Sequence, residues 1–314
     1  QTFDRQSAQQ RTAARLPLSA TSQLSRTIPF HRSMAFLRLA VTVLAVSLGG
    51  TVARSADAVR PTYEDVRYGS FHRNVLDVYL PDDASEADSD RRKPFPVFIF
   101  FHGGGWIYGD KSSADPSWCL KNGVAFVSAN YRFTLGSPDA APYPAPMNDA
   151  ARVVQYVRQR APEWGLDRDR IALSGSSAGA VMAMWGAYQD DLAKPDADDP
   201  VARESTRVNC VVPCDTPTTF QPEWILKHVG GSPRIHLAAY PFFAIQDLGE
   251  LNTPEKRPLV RSASPVNYVS ADDPPTYLRY RSPMKGTPLP PTTDPNISIH
   301  HPKFGQYLKE RLDE

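Results

Sequence analysis

The 314 residues carry 35 Lys and Arg against 34 Asp and Glu, a formal net charge of +1. Such a balance gives no long-range pull toward nucleic acid or an anionic membrane surface. Hydrophobic residues at 41% suffice for a packed core, and 30 prolines call for long, well-defined loops between the regular elements.

From the start of the chain, residues 1–33 carry five arginines against the single acid Asp4, among many Ser, Thr and Gln. This stretch reads as a disordered upstream segment preceding a start at Met34, with an organelle presequence as the other reading. From Met34 the text is "MAFLRLAVTVLAVSLGGTVARSADA": a basic start at Arg38, an apolar run from Leu39 to Leu48, and small residues ending in Ala56-Asp57-Ala58. That run is short for a membrane span, and the pattern predicts a signal peptide over 34–58 and a secreted or periplasmic protein with no stable membrane anchor. Residues 59–314 then suit one domain.

Within it, "DVRYG" and "NVLDVYLP" read as two edge strands, and "DDASEADSDRRKP" as a polar loop. "FPVFIFF" and "GVAFVSANY" are continuous apolar runs, the mark of strands buried on both faces. "MNDAARVVQYVRQRAPEWG" is helical, with Ala151, Val154 and Val157 at helical spacing and Gly165 as the stop. "RIALSG" is a buried strand running into the helix "AGAVMAMWGAYQDD", and "NCVVPC" and "PPTYLRY" are further strands. The Pro- and aromatic-rich stretch 215–275 is too long for an ordinary connection and reads as a lid or cap. "HPKFGQYLKERLDE" closes the chain as a helix. Alternating units of this kind predict an α/β sheet covered by helices on both faces, with ligands at the carboxyl ends of the strands. Cys210 and Cys214 sit four strand residues apart, about 13 Å, beyond the reach of a disulfide. No paired Cys or His spacing would hold a metal, and no cofactor is called for.

Chemistry concentrates in two places. G-x-S-x-G fits one register, Gly175-Ser176-Ser177-Ala178-Gly179, which singles out Ser177 over Ser174 and Ser176. At such a strand-to-helix turn the hydroxyl is exposed and the flanking glycines let neighbouring backbone pass close. The helix that follows offers free N–H groups and a positive dipole end. "FIFFHGGGWIYGD" places three glycines directly after a buried strand, leaving N–H groups unshielded; with no following Lys-Ser/Thr, a phosphate loop is the poorer reading. The N–H groups of Gly104, Gly105 and Ala178 are the candidate oxyanion hole. His102, at the strand end, reads as a brace for the glycine loop.

"FHGGGW", "SANYRF", "PAPMNDAARVVQYVRQRAPEWGLDRDRIALSGSSAGA" and "PPTYL" occur in the order seen in α/β-hydrolase esterases. Over about residues 62–314 the chain resembles the hormone-sensitive-lipase-like group, and especially exported esterases of the feruloyl and acetylxylan type. The resemblance implies an α/β-hydrolase fold and hydrolysis of carboxylic esters, acylated carbohydrates among them, through an acyl-serine on Ser177. It also gives Tyr131, Arg132 and Asp149 supporting roles. The other triad members should follow in the order acid, histidine. Asp294 aligns best with the acid if "SPMKGTPLPPTT" is an insertion; Asp215, beyond the preceding strand, is the alternative, and an Asp-Pro turn is the bland reading of Asp294.

In the family the histidine lies after one further strand. The chain therefore reads as C-terminally incomplete, lacking its last strand and histidine loop, with weak activity as the expectation. His300 and His301, at a helix start just beyond Asp294, are not expected to reach Ser177; His228 and His236 belong to the cap stretch. The reading from another class is a non-catalytic pseudo-hydrolase that keeps the pocket for an acyl or sugar ligand; a peptidase of the same fold is third.

Overall fold

The continuous apolar runs build the centre of a six-stranded sheet in the order β1-β2-β4-β3-β5-β6. These are β1 (Tyr63–Arg67), β2 (Val75–Tyr79), β3 (Phe95–Phe101), β4 (Ala125–Ala129), β5 (Leu166–Ser176) and β6 (Cys210–Cys214). A computed structural model of the chain describes residues 59–82, 93–232 and 236–314, with Val59–Glu314 forming one compact unit. The upstream segment expected over 1–33 and the signal peptide expected over 34–58 lie outside the described residues, as does much of the polar loop before β3. Among the described residues, no helix is long and apolar enough to cross a membrane.

Strands β3, β4, β5 and β6 pair in parallel, whereas β2 is antiparallel to both β1 and β4. The expectation of two edge strands is therefore corrected. Only β1 is an edge; β2 is flanked on both sides, and its nearly continuous burial is that of an interior strand. "PPTYLRY" runs alongside β6 as the sequence predicts, but meets it through two isolated parallel bridges, Val211↔Thr276 and Cys214↔Arg279.

Helix α1 (Ser117–Lys121) carries the chain from β3 to β4. Helix α2 (Ala145–Trp164) then crosses to β5, and α3 (Ala178–Tyr188) leads on toward β6. Every residue of α3 is buried, which explains its uniformly apolar sequence. The connection after β3 moves to one side of the sheet and the connection after β5 to the other. The carboxyl ends of β3 and β5 are adjacent in register, Phe101 opposite Gly175. That is the topological switch point at which open α/β sheets bind ligands, and both sequence motifs emerge there.

The stretch 215–275 forms short helices, including α4 (Pro222–His228), α5 (Ala239–Phe243) and α6 (Arg257–Ala263). Phe242, Phe243, Leu251 and Val260 from this stretch are buried in the main core. Two C-terminal helices follow, α7 (Pro295–Ile299) and α8 (Lys303–Asp313). Phe304 of α8 packs with Val229 and Leu289, and Trp224 of α4 stacks on Tyr307 at 4.4 Å.

Candidate active site

Ser177 stands alone between the last residue of β5 and the first of α3, with φ 51° and ψ −116°. A serine in this left-handed region is strained, and the strain turns its side chain out of the strand without entering the helix. The flanking glycines are sterically required. A Cβ on Gly175 would lie 2.3 Å from the Gly179 carbonyl carbon, and one on Gly179 would lie 2.1 Å from the Phe101 carbonyl oxygen. The neighbouring serines differ. Ser174 is buried and donates to the Val212 carbonyl at 2.7 Å, so its hydroxyl is committed to the sheet.

The glycine loop faces this turn. A Cβ on Gly103 would sit 3.6 Å from the Cβ of Ser177. Gly104 and Gly105 have φ of 109° and 59°, and the Gly104 carbonyl is turned back to accept from the N–H groups of Ile107 and Tyr108. Among the described residues, the N–H groups of Gly104, Gly105 and Ala178 donate to no other backbone group outside the regular elements. All three residues line the cavity that contains Ser177.

The loop is braced from behind. His102 is 1% exposed; its Nδ1 donates to the Gly103 carbonyl at 2.7 Å, and its ring stacks on Tyr131 with centroids 4.4 Å apart. Burial lowers its pKa to about 4, which keeps the ring neutral. The Tyr131 hydroxyl donates to the His102 carbonyl at 2.7 Å, and Arg132 pairs with Asp149 at 2.7 Å. Trp106 stacks on Phe242 with centroids 3.9 Å apart, tying the glycine loop to α5.

The structure corrects the expectation for the histidine. His300 Nε2 lies 2.8 Å from Ser177 Oγ, within hydrogen-bond reach, while His301 is buried with its Nδ1 accepting from the Lys303 N–H. His300 caps the C-terminal end of α7, so this short helix delivers the imidazole to the serine without a further strand. Burial lowers its pKa. The Asn296 backbone bond and the Asp215 charge oppose that effect, and His236 and Arg281 reinforce it. In the neutral ring with its hydrogen on Nδ1, the nitrogen facing Ser177 accepts the serine proton.

Neither candidate acid touches this imidazole through a hydrogen bond among those described. Asp294 caps α7, its carboxylate accepting from the Asn296 N–H at 2.7 Å, and its charge acts on His236. Asp215 is buried just beyond β6 with φ 46°, and accepts from the Arg281 N–H at 2.7 Å and from its Nε at 2.5 Å. The alternative acid is therefore the one whose charge favours a protonated His300. His236, expected to belong to the cap stretch, lines the serine cavity beside Gly105, its Nδ1 accepting from the Ala238 N–H at 3.2 Å. No local motif marks it; its place follows from the fold of the cap stretch.

The cavity has a volume of about 170 Å³ and is walled largely by Phe220, Phe242, Phe243 and Trp106. Among the described residues, no group of His, Cys, Asp and Glu is arranged to hold a metal ion.

This sheet, with a serine at the strand-helix turn of its switch point, has the α/β-hydrolase fold. A family model described as BD-FAE matches residues 76–281, and the chain belongs to that family. Carboxylesterase NlhH of Mycobacterium tuberculosis is 37% identical over 108 residues, 33% of each chain. Esterase LipQ of the same organism is 29% identical over 221 residues, 68% of this chain and 47% of LipQ. The chain thus spans less than half the length of either relative. An acetyl ester-xyloside bifunctional hydrolase from Caldicellulosiruptor lactoaceticus shares the fold with a TM-score of 0.56 at 24% identity, covering 76% of this chain and 72% of that one. A thermophilic esterase from Thermogutta terrifontis does so with a TM-score of 0.55 at 22% identity, covering 79% and 76%.

Proposed function

We propose that this protein hydrolyses carboxylic esters through an acyl-serine intermediate on Ser177. The observation that carries the reading is the 2.8 Å approach of His300 Nε2 to Ser177 Oγ at the mouth of the glycine loop. Ser177 Oγ attacks the ester carbonyl as its proton passes to His300. The carbonyl oxygen becomes an oxyanion and is received by the N–H groups of Gly104, Gly105 and Ala178, which are held in place before the reaction. As the intermediate collapses, the carbon–oxygen bond to the alcohol breaks, and His300 returns the proton to the leaving oxygen. Water, deprotonated by the same imidazole, then releases the carboxylic acid and restores Ser177.

The Asp215 charge favours the imidazolium that forms on His300 during the reaction. The esterase names of the relatives support the same chemistry, and the acetyl ester-xyloside hydrolase among the structural neighbours supports acylated carbohydrates as candidate substrates. A pocket that binds such a ligand without turnover is the second reading, favoured by the absence, among the described residues, of a carboxylate hydrogen bond on His300.

Fluorophosphonate labelling and p-nitrophenyl ester hydrolysis by the full chain test the choice. Covalent labelling and turnover that both vanish in Ser177→Ala support the hydrolase. Ester binding with neither labelling nor Ser177-dependent turnover selects the binding protein.

A further inference from the structure

Arg73 stands in the turn between β1 and β2, far in sequence from both motifs that mark the serine site. Its half-buried side chain reaches the back of the glycine loop. One terminal nitrogen, Nη2, donates to the Gly109 carbonyl at 3.0 Å and lies 3.4 Å from His102 Nε2. His102 and Gly109 flank the segment that carries Gly103, Gly104 and Gly105, so a single guanidinium nitrogen joins the loop's entry to its exit. The two ends are closely packed there: a Cβ on Gly109, whose φ is 109°, would lie 2.4 Å from His102 Nδ1 and 2.6 Å from the Gly103 carbonyl oxygen. Arg73 Nε donates to the Tyr131 carbonyl at 3.1 Å, and the guanidinium carbon sits 3.7 Å from the centroid of the Phe133 ring, a cation–π contact.

This pattern of donors leaves the His102 ring one tautomer. A guanidinium offers donors and no acceptor, so the Nε2 that faces it carries the lone pair. The ring hydrogen is then on Nδ1, where it is given to the Gly103 carbonyl at 2.7 Å. With the hydrogen on Nε2 instead, two donors would face each other at Arg73 and two acceptors at Gly103. The peptide between Gly103 and Gly104 is trans, so its N–H points opposite to its carbonyl. Fixing the Gly103 carbonyl therefore also fixes the direction of the Gly104 N–H.

We propose that Arg73 is a positioning residue for ester hydrolysis: it clamps both ends of the glycine loop and, by holding the His102 hydrogen on Nδ1, aims the Gly104 N–H at the oxyanion. The assignment rests on the esterase reading above. Arg73 acts through His102 and Gly103, and the substrate meets only the N–H that they orient.

The test is Arg73→Met, which keeps the stem and loses every donor, with two measurements on the full chain. One is kcat and KM for p-nitrophenyl acetate. The other is nitrogen-15 NMR of labelled histidine at pH 7, in which the two ring nitrogens report which of them carries the hydrogen. The His102 ring is identified by its loss in His102→Asn. The parent should show the Nδ1–H tautomer alone. In Arg73→Met the Nε2–H form should appear, and kcat should fall about tenfold or more while KM moves by less than about threefold. Arg73→Lys keeps the charge without the planar fork; it should also lose kcat and the single tautomer, and it carries the test if Arg73→Met does not fold. A fall in kcat with the Nδ1–H tautomer retained, or parent kcat in either variant, overturns the clamp. If the parent turns over no ester, the esterase reading fails and the His102 ring decides alone. The Nε2–H form appearing in Arg73→Met then supports the clamp on the loop, and an unchanged ring overturns it.

Discussion

His300 Nε2 sits 2.8 Å from Ser177 Oγ across 123 residues of chain. The serine is placed by the turn between β5 and α3, the imidazole by the end of α7. Removing either member of a nucleophile–base pair costs nearly as much as removing both, because they act as one unit. Ser177→Ala and His300→Ala are each expected to lower kcat/KM for p-nitrophenyl butyrate by about 10³-fold or more, and the double variant by little beyond that. Turnover in His300→Ala close to the parent would show that another base serves Ser177.

Protonated His300 cannot accept from Ser177, so activity should rise with pH as the imidazole loses its proton. Burial sets that pKa below the ordinary histidine value. The acidic limb of kcat/KM is therefore expected to have its midpoint below about 6.5, leaving activity near full at neutral pH. Asp215→Asn removes a charge that favours the protonated ring, and should move the midpoint further down. Because the same charge stabilises the imidazolium formed in the transition state, kcat should fall as well, by about tenfold. Asp294→Asn should change kcat/KM by less than about threefold, since asparagine caps a helix as well as aspartate does. A large loss in Asp294→Asn with none in Asp215→Asn would restore Asp294 as the acid.

The contrast between these two aspartates shows where reading residues alone succeeds. Ser177 and the glycine loop are legible because their chemistry is local: the spacing of glycines is itself the requirement for a close turn. The buried strands are legible because burial on both faces writes an uninterrupted apolar run. His300 is not legible, because its reach depends on the path of 281–294, a Pro-rich segment with no period to read. For Asp294 the local signal was present. An Asp directly before a Pro is a helix start, with the carboxylate on the N–H groups and Pro at the first helical position, and that is its place at the head of α7.

His102 gives a stability test separate from catalysis. Its folded pKa of about 4 lies below the unfolded value of about 6.5. Between those values the unfolded chain binds the proton and the folded one does not, so stability falls as pH drops through this window. The full contribution is about 3 kcal/mol, complete only below pH 4. Urea denaturation from pH 7 to pH 4.5 should show a steeper loss in the parent than in His102→Asn. Equal slopes would mean that His102 takes up its proton in the folded protein.

Phe242 couples the cap stretch to the glycine loop. Its ring lies 3.9 Å from that of Trp106 and 5.8 Å from that of Phe220, and it is fully buried. Phe242→Ala removes this packing and leaves a cavity, a change that costs about 3–5 kcal/mol in a core. Because Trp106 follows Gly105 directly, the loss should also loosen the N–H groups of Gly104 and Gly105, the proposed oxyanion donors. Thermal unfolding should show a lowered midpoint, and kcat should fall more than KM rises, since the oxyanion contacts strengthen chiefly in the transition state. Phe242→Leu, which refills much of the volume, should recover most of both. A variant that unfolds earlier with kcat unchanged would show that the stack supports the fold alone and leaves the oxyanion loop to His102 and Tyr131.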